Sequence, residues 1–160
     1  MHICSLYLRI KFKEIMPRPQ KNRNVNTPPT IKEFKPIGVP RKALHETFLS
    51  LDEYEAIRLA DYLGYPHDKA SDEMNISRPT FTRLIEKARK KISTFLIEGS
   101  ALIIEGGNIH FSNNVIHCLD CGFKSNIKIN KIIKYCPQCN SDNLKNFAKH
   151  YGHGKCCRKN

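Results

Sequence analysis

Acidic side chains are scarce in this 160-residue chain. Asp and Glu number 15 against 27 Lys and Arg, which leaves a net charge of +12 and an isoelectric point near 9.5. Such an excess is silent on fold but points to polyanionic partners such as nucleic acid. Also missing is any apolar run close to the roughly 18 residues of a membrane-spanning helix, so no membrane partner is expected. The opening MHICSLYLRIKFKEI has a short apolar stretch broken by Arg9 and Lys11, with no small-residue cleavage site, and does not read as a signal peptide. No Ser-His-Asp set can be placed. IEGGN is too short for a Gly-rich phosphate loop and follows no strand-to-helix signal. The chain is therefore not expected to be an enzyme.

What is present is unevenly spread. Residues 1–50 carry 10 basic and 3 acidic side chains, residues 51–106 carry 8 and 10, and residues 107–160 carry 9 and 2. A near-neutral middle between two basic flanks reads as a folded core with electrostatic grips. Without a secretion signal a cytoplasmic location is expected. The seven cysteines should then be reduced, and metal ligation outranks disulfides.

The expected architecture is a mainly α domain of three to four helices followed by a small β zinc ribbon. Residues 1–33 read as a flexible basic arm, which from Pro17 to Pro29 is rich in Pro, Asn and cations and poor in apolar side chains. MPRPQK at Met16 offers a start of its own, which leaves residues 1–15 upstream of it; the competing reading makes them a genuine short β-like extension. Residues 34–107 hold the helices, 108–147 the ribbon, and 148–160 an unpacked tail. Ser50 and Glu53 form an S-x-x-E capping box at the head of a first helix, which YLGYP closes at Gly64. Asp52, Glu53 and Glu55 near its N-terminus complement the helix dipole and need no further role. A second helix spans about His67–Met74. Asn75 takes the turn because Asn tolerates the left-handed conformation. Ser77 caps a third helix, with Pro79 accommodated in its first turn.

Along that third helix Phe81, Leu84, Ile85, Ala88, Ile92, Phe95 and Leu96 share one face. Ser77, Arg78, Thr80, Thr82, Arg83, Lys87, Lys90 and Lys91 are left to face outward. Helix, tight turn, helix is the arrangement that puts a second helix into the major groove of DNA. Arg78 and Arg83 suit guanine, and Thr80 or Thr82 suits a thymine methyl or a base hydrogen bond. Lys87, Lys90 and Lys91 suit phosphates. Arg18, Lys21 and Arg23 of the arm can lie along a minor groove or the backbone. The competing reading is an ordinary amphipathic helix with solvated charges.

The stretch from MPRPQK through FKPIGVP, LSLDEYEAIRLADYLG and MNISRPTFTRLIEKARKKI to LIEGSALIIEGG resembles the family called domain of unknown function 134, over residues 16–107. The resemblance implies a DNA-binding domain of three or four helices similar to region four of bacterial sigma factors, with Ser77, Arg78, Thr80 and Arg83 in the reading helix. Asn75 stands where that family tends to have Gly, and Ser71 where it has Ala. Asn can supply the same backbone and Ser is small, so neither undoes the likeness.

HCLDCGF and YCPQCNSDNL supply Cys118, Cys121, Cys136 and Cys139, two Cys-x-x-Cys units with 14 residues between them. Two residues between cysteines let one tight knuckle direct both sulfurs at one ion, and four thiolates make a closed, structural zinc site. Gly122 and Asn140 suit the left-handed step that ends each knuckle. FKSNIKI and IIKYC read as the strands of a hairpin between the knuckles. Rubredoxin-type iron and disulfides are the rivals to Zn2+, and His117 reads as a neighbour of the site. His150, His153, Cys156 and Cys157 make a second candidate cluster, against the plainer reading of an unpacked tail.

These readings lead to a transcriptional regulator that reads duplex DNA and carries a structural zinc ribbon. The alternatives are a metal- or redox-sensing protein working through its His/Cys tail, and an adaptor docking its ribbon on RNA polymerase machinery. A second copy of the chain is a further candidate partner.

Overall fold

The computed structural model describes residues 21–153. Arg18, Cys156 and Cys157 lie outside the described residues, as do residues 1–15. The expectation of a mainly α domain is overturned: among the described residues four α-helices share the chain with eight strands in three small sheets.

Strand β1 (Arg23–Val25) runs parallel to β5 (Ile109–Phe111), with Val25 opposite Phe111 and both side chains sealed from solvent. In the second sheet β4 (Ala101–Ile104) lies between β2 (Glu33–Phe34) and β3 (Glu46–Leu49), antiparallel to the first and parallel to the second. All four residues of β4 are buried, as a central strand covered on both faces requires. Arg41 reaches Glu33 and Glu46 at 2.5 Å each and clips β2 to β3. Residues 23–34 are thus partly woven into sheets where a loose arm was expected, because Val25 has an apolar site to fill and β4 has an open edge to pair.

Helix α1 (Leu51–Ile57) begins at the expected capping box, where the Ser50 N–H donates to Glu53 Oε2 at 2.9 Å. It does not continue as an α-helix to Gly64. Residues Arg58–Tyr62 widen into a π-turn, with the Leu63 N–H donating to the Arg58 carbonyl at 3.0 Å. Helix α2 (His67–Glu73) and helix α3 (Arg78–Glu98) follow, joined by a turn in which Asn75 has φ of +54°. Ser77 stands at the N-cap of α3, but its hydroxyl bonds the Thr80 hydroxyl at 2.8 Å and caps no backbone amide. Phe81, Leu84 and Ile85 bury one side of α3 against Leu59, Ala70 and Met74, and Ala88 joins the neighbouring core cluster with Leu49 and Leu51. Each large apolar side chain contributes about 2 kcal/mol. Together they outweigh the exposed ion pairs of the same helix, worth about 0–1 kcal/mol each.

The third sheet places β6 (Asn113–Cys118) between β7 (Lys124–Lys128) and β8 (Leu144–Asn146), antiparallel to both. FKSNIKI therefore pairs with the strand before it. IIKYC forms no strand, and residues 131–135 are irregular. The expected hairpin between the knuckles is replaced by a hairpin ahead of the second one. Helix α4 (Phe147–His150) then docks: Phe147 and Ala148 are buried, and the Ala148 N–H donates to Asn114 Oδ1 at 2.9 Å. Packing of the tail thus persists to residue 153, where the His153 ring meets Phe111 and His110.

Candidate metal centre and basic helix

Two knuckles of the third sheet converge on one point. Cys118 ends β6, and the Gly122 N–H returns to the Cys118 carbonyl at 3.1 Å; the Asn140 N–H returns to the Cys136 carbonyl at 2.9 Å. Gly122 at φ +75° and Asn140 at φ +60° take the left-handed step that directs each second sulfur inward. Across the knuckles, Cys118 Sγ lies 3.6 Å from Cys139 Sγ, and Cys121 Sγ lies 3.6 Å from Cys136 Sγ. All four sulfurs fall within 4.8 Å of one another. A tetrahedral ion about 2.3 Å from each sulfur sets neighbouring sulfurs about 3.8 Å apart. The cluster is therefore already the size of a filled site, and four thiols so placed can hold a metal ion.

The electrostatics agree. The Cys121 backbone N–H holds the Cys118 thiol down at about 7. For Cys139 the Ser141 amide pulls downward, but Cys121, burial and the other thiols push it up to about 12. Thiolates crowded together repel, and a cation relieves the repulsion. Cys118 and Cys136 are buried, whereas Cys121 and Cys139 face solvent. Asp120 cross-links the knuckles by accepting from the Ser141 hydroxyl and, at 2.8 Å, from Asn143 Nδ2. Sequence reasoning missed that clip, whose only signal is a carboxylate inside the first knuckle and polar residues just after the second. His117 takes no part: it stacks on Phe147 at 6.4 Å.

The outer side of α3 is mixed. Arg83 and Lys90 are exposed, and Arg78 is two-thirds exposed with a surface ion pair to Asp68 at 3.0 Å. Ser77 is exposed, and Thr80 is half-buried. Thr82 is tied to the His67 ring at 3.1 Å. Lys87 and Lys91 turn to Glu53, at 3.3 Å and 2.6 Å, and Lys91 is partly buried by that contact. Lys21 is exposed. Arg23 lies in β1 and pairs with Asp52.

The three carboxylates of LDEYE are more than dipole partners. Asp52, Glu53 and Glu55 are all buried. Glu55 accepts from Arg58 at 2.6 and 2.8 Å and from the Asn26 N–H at 3.1 Å. Burial pushes the Glu53 carboxyl up, but the Lys91 ammonium and the Ser50 amide bring it below its ordinary value. These acids staple α1 to α3 and to residues 23–26. Of the second candidate cluster, His150 is exposed beside Tyr151 and His153 packs on His110. Among the described residues only the four cysteines gather as a metal-ligand group, and no helix is long and apolar enough to cross a membrane.

Fold and cluster define a small mixed α/β protein with a four-thiol cluster that can hold a metal ion. Residues 13–112 match the family described as "Protein of unknown function DUF134", and the chain belongs to that family. A UPF0251 protein of Chloroherpeton thalassium is 49% identical over 132 residues, which cover 82% of this chain and 87% of the relative. One from Pelotomaculum thermopropionicum is 42% identical over 126 residues, covering 79% and 95%. One from Halothermothrix orenii is 39% identical over 131 residues, covering 79% and 97%. No solved structure matches the chain.

Proposed function

We propose that the chain binds duplex DNA as a transcriptional regulator, offering the first turns of α3 to base edges, and that its four cysteines hold Zn2+. The observation that carries the reading is the division of α3. Phe81, Leu84, Ile85 and Ala88 anchor it, while Arg78, Arg83 and Lys90 stay in solvent on its outer side. Helix α2 and the Asn75 turn brace it from behind. Arg83 makes the better base contact, since Arg78 must first leave Asp68. Lys87 and Lys91 act mainly through Glu53, so the phosphate contacts fall to Lys90 and Lys21. For the metal, an all-thiolate donor set with tetrahedral spacing favours zinc, and the buried pair Cys118 and Cys136 gives a closed, structural centre.

The test is binding to a selected duplex and to random duplexes by fluorescence anisotropy. Affinity should fall steeply between about 50 and 200 mM salt as counterions are released. Arg83→Ala should relax discrimination at one base pair by about 1–3 kcal/mol. Parent-like affinity and selectivity in Arg83→Ala would remove α3 from the interface.

A further inference from the structure

The π-turn after α1 has a consequence for Arg58, the residue that opens it. Wide turns of this kind recur at functional sites. The Arg58 guanidinium is fixed from the inside: Nε and one terminal nitrogen donate to Glu55, which is itself buried and also held by the Asn26 N–H. The other terminal nitrogen makes no hydrogen bond among the described residues. A fork held in this way is pre-organised for a second planar or tetrahedral acceptor.

Arg58 lines a cleft of about 400 Å³ that runs between the helical part and the third sheet. Its far wall is the start of β7, where Lys124 is exposed and Ser125 and Asn126 follow. A third wall is the segment between β1 and β2, which contributes the hydroxyls of Thr27 and Thr30. Tyr54 and Val115 add apolar surface. No carboxylate lines the cleft, and Glu55 is occupied behind Arg58. Two cations, several neutral donors, a mixed polar and apolar wall and a metabolite-sized volume form one kind of recognition surface.

We propose that this cleft binds a small organic phosphate, a phosphate monoester of metabolite size, with its phosphate between Arg58 and Lys124. The phosphate oxygens take the free edge of the Arg58 fork and the Lys124 ammonium, with Thr30 and Ser125 as neutral donors. Such a ligand spans residues 27–30, the π-turn and β7, so it ties the sheet that carries the cysteines to the helices that carry α3. The proposal depends on neither the DNA reading nor the identity of the metal, since it concerns other residues.

The test uses the full chain as purified and isothermal calorimetry with inorganic phosphate, ribose 5-phosphate and adenosine monophosphate, with ribose and adenosine as uncharged controls. The phosphate esters should bind saturably and raise the melting temperature, and the uncharged controls should do neither. Lys124→Gln should weaken ester binding about tenfold, the scale of one charge-assisted contact. Lys124→Glu should abolish it. Both variants should keep the unliganded melting temperature, because Lys124 is exposed. Lys42→Gln, an exposed cation on the 3-10 turn at 41–43, should bind like the parent. Absence of ester binding, or equal binding by Lys124→Gln, would overturn the proposal. So would a duplex oligonucleotide whose binding needs Lys124 while the esters do not bind, which would assign the cleft to a nucleic-acid backbone.

Discussion

Lys91 Nζ lies 2.6 Å from Oε2 of Glu53, and that carboxylate is only 1% exposed. The pair joins the first turn of α1 to the middle of α3. Glu53→Gln keeps much of the cap shape but leaves Lys91 without its counter-charge. Losing one partner of a buried pair costs about 3–5 kcal/mol. Because Lys91 retains some solvent, the expected loss is about 2–3 kcal/mol, read from urea unfolding. Adding Lys91→Met to that variant should recover part of the loss, because the half-buried ammonium is then gone and Lys87, the other cation on Glu53, is exposed to water.

The same pair sets an acid limit. The folded Glu53 carboxyl titrates below its ordinary value of 4.5. A depressed carboxylate adds stability that is fully present above its unfolded value and is lost as pH falls through the folded one. Stability should therefore hold down to about pH 5 and decline below about 4.5. In Glu53→Gln that decline should be shallower, and thermal melts across pH 3–6 measure it.

Removal of metal should act regionally. With a strong chelator the third sheet should lose its order, since a structural thiolate site contributes its binding energy to folding. Amide exchange should rise across residues 113–147 and much less in α3. Elemental analysis should return about one ion per chain, and Cys136→Ser, which alters a buried ligand, should lower that figure and melt the same region.

Asn75 tests the turn before α3. At φ +54° a β-branched side chain is strained, so Asn75→Val should cost about 1–2 kcal/mol. Asn75→Gly should be tolerated. Urea midpoints of the two variants make the comparison.

The features legible in the sequence are local ones. The box of Ser50 and Glu53, the Asn75 turn, the start of α3 and the knuckle steps at Gly122 and Asn140 each depend on residues within a few positions of one another. The four cysteines were readable for the same reason. Of the strands, FKSNIKI is legible and forms β7, but most are not. Ala101–Ile104 is too short to show a period, and its partners lie at residues 33–34 and 46–49, far away in sequence. Composition alone makes residues 23–34 look loose, although Val25 has its place beside Phe111. The acids of LDEYE were misread because charge normally marks a surface, and the cations that allow their burial, Arg23, Arg58 and Lys91, are set by tertiary structure. Arg58 was missed because nothing in RLADY announces a π-turn.

The parallel pairing of β1 with β5 also bears on how the protein is made. Val25 has no strand to lie against until Phe111 has been synthesised, and the Asn113 N–H closes on the Asn26 carbonyl only after that. A nascent chain can form α2 and α3 early, since their contacts are short-range, but its first strand must wait through almost the whole of the helical region. A ribosome stalled before codon 109 would therefore hold a partly folded intermediate with the Val25 site still open.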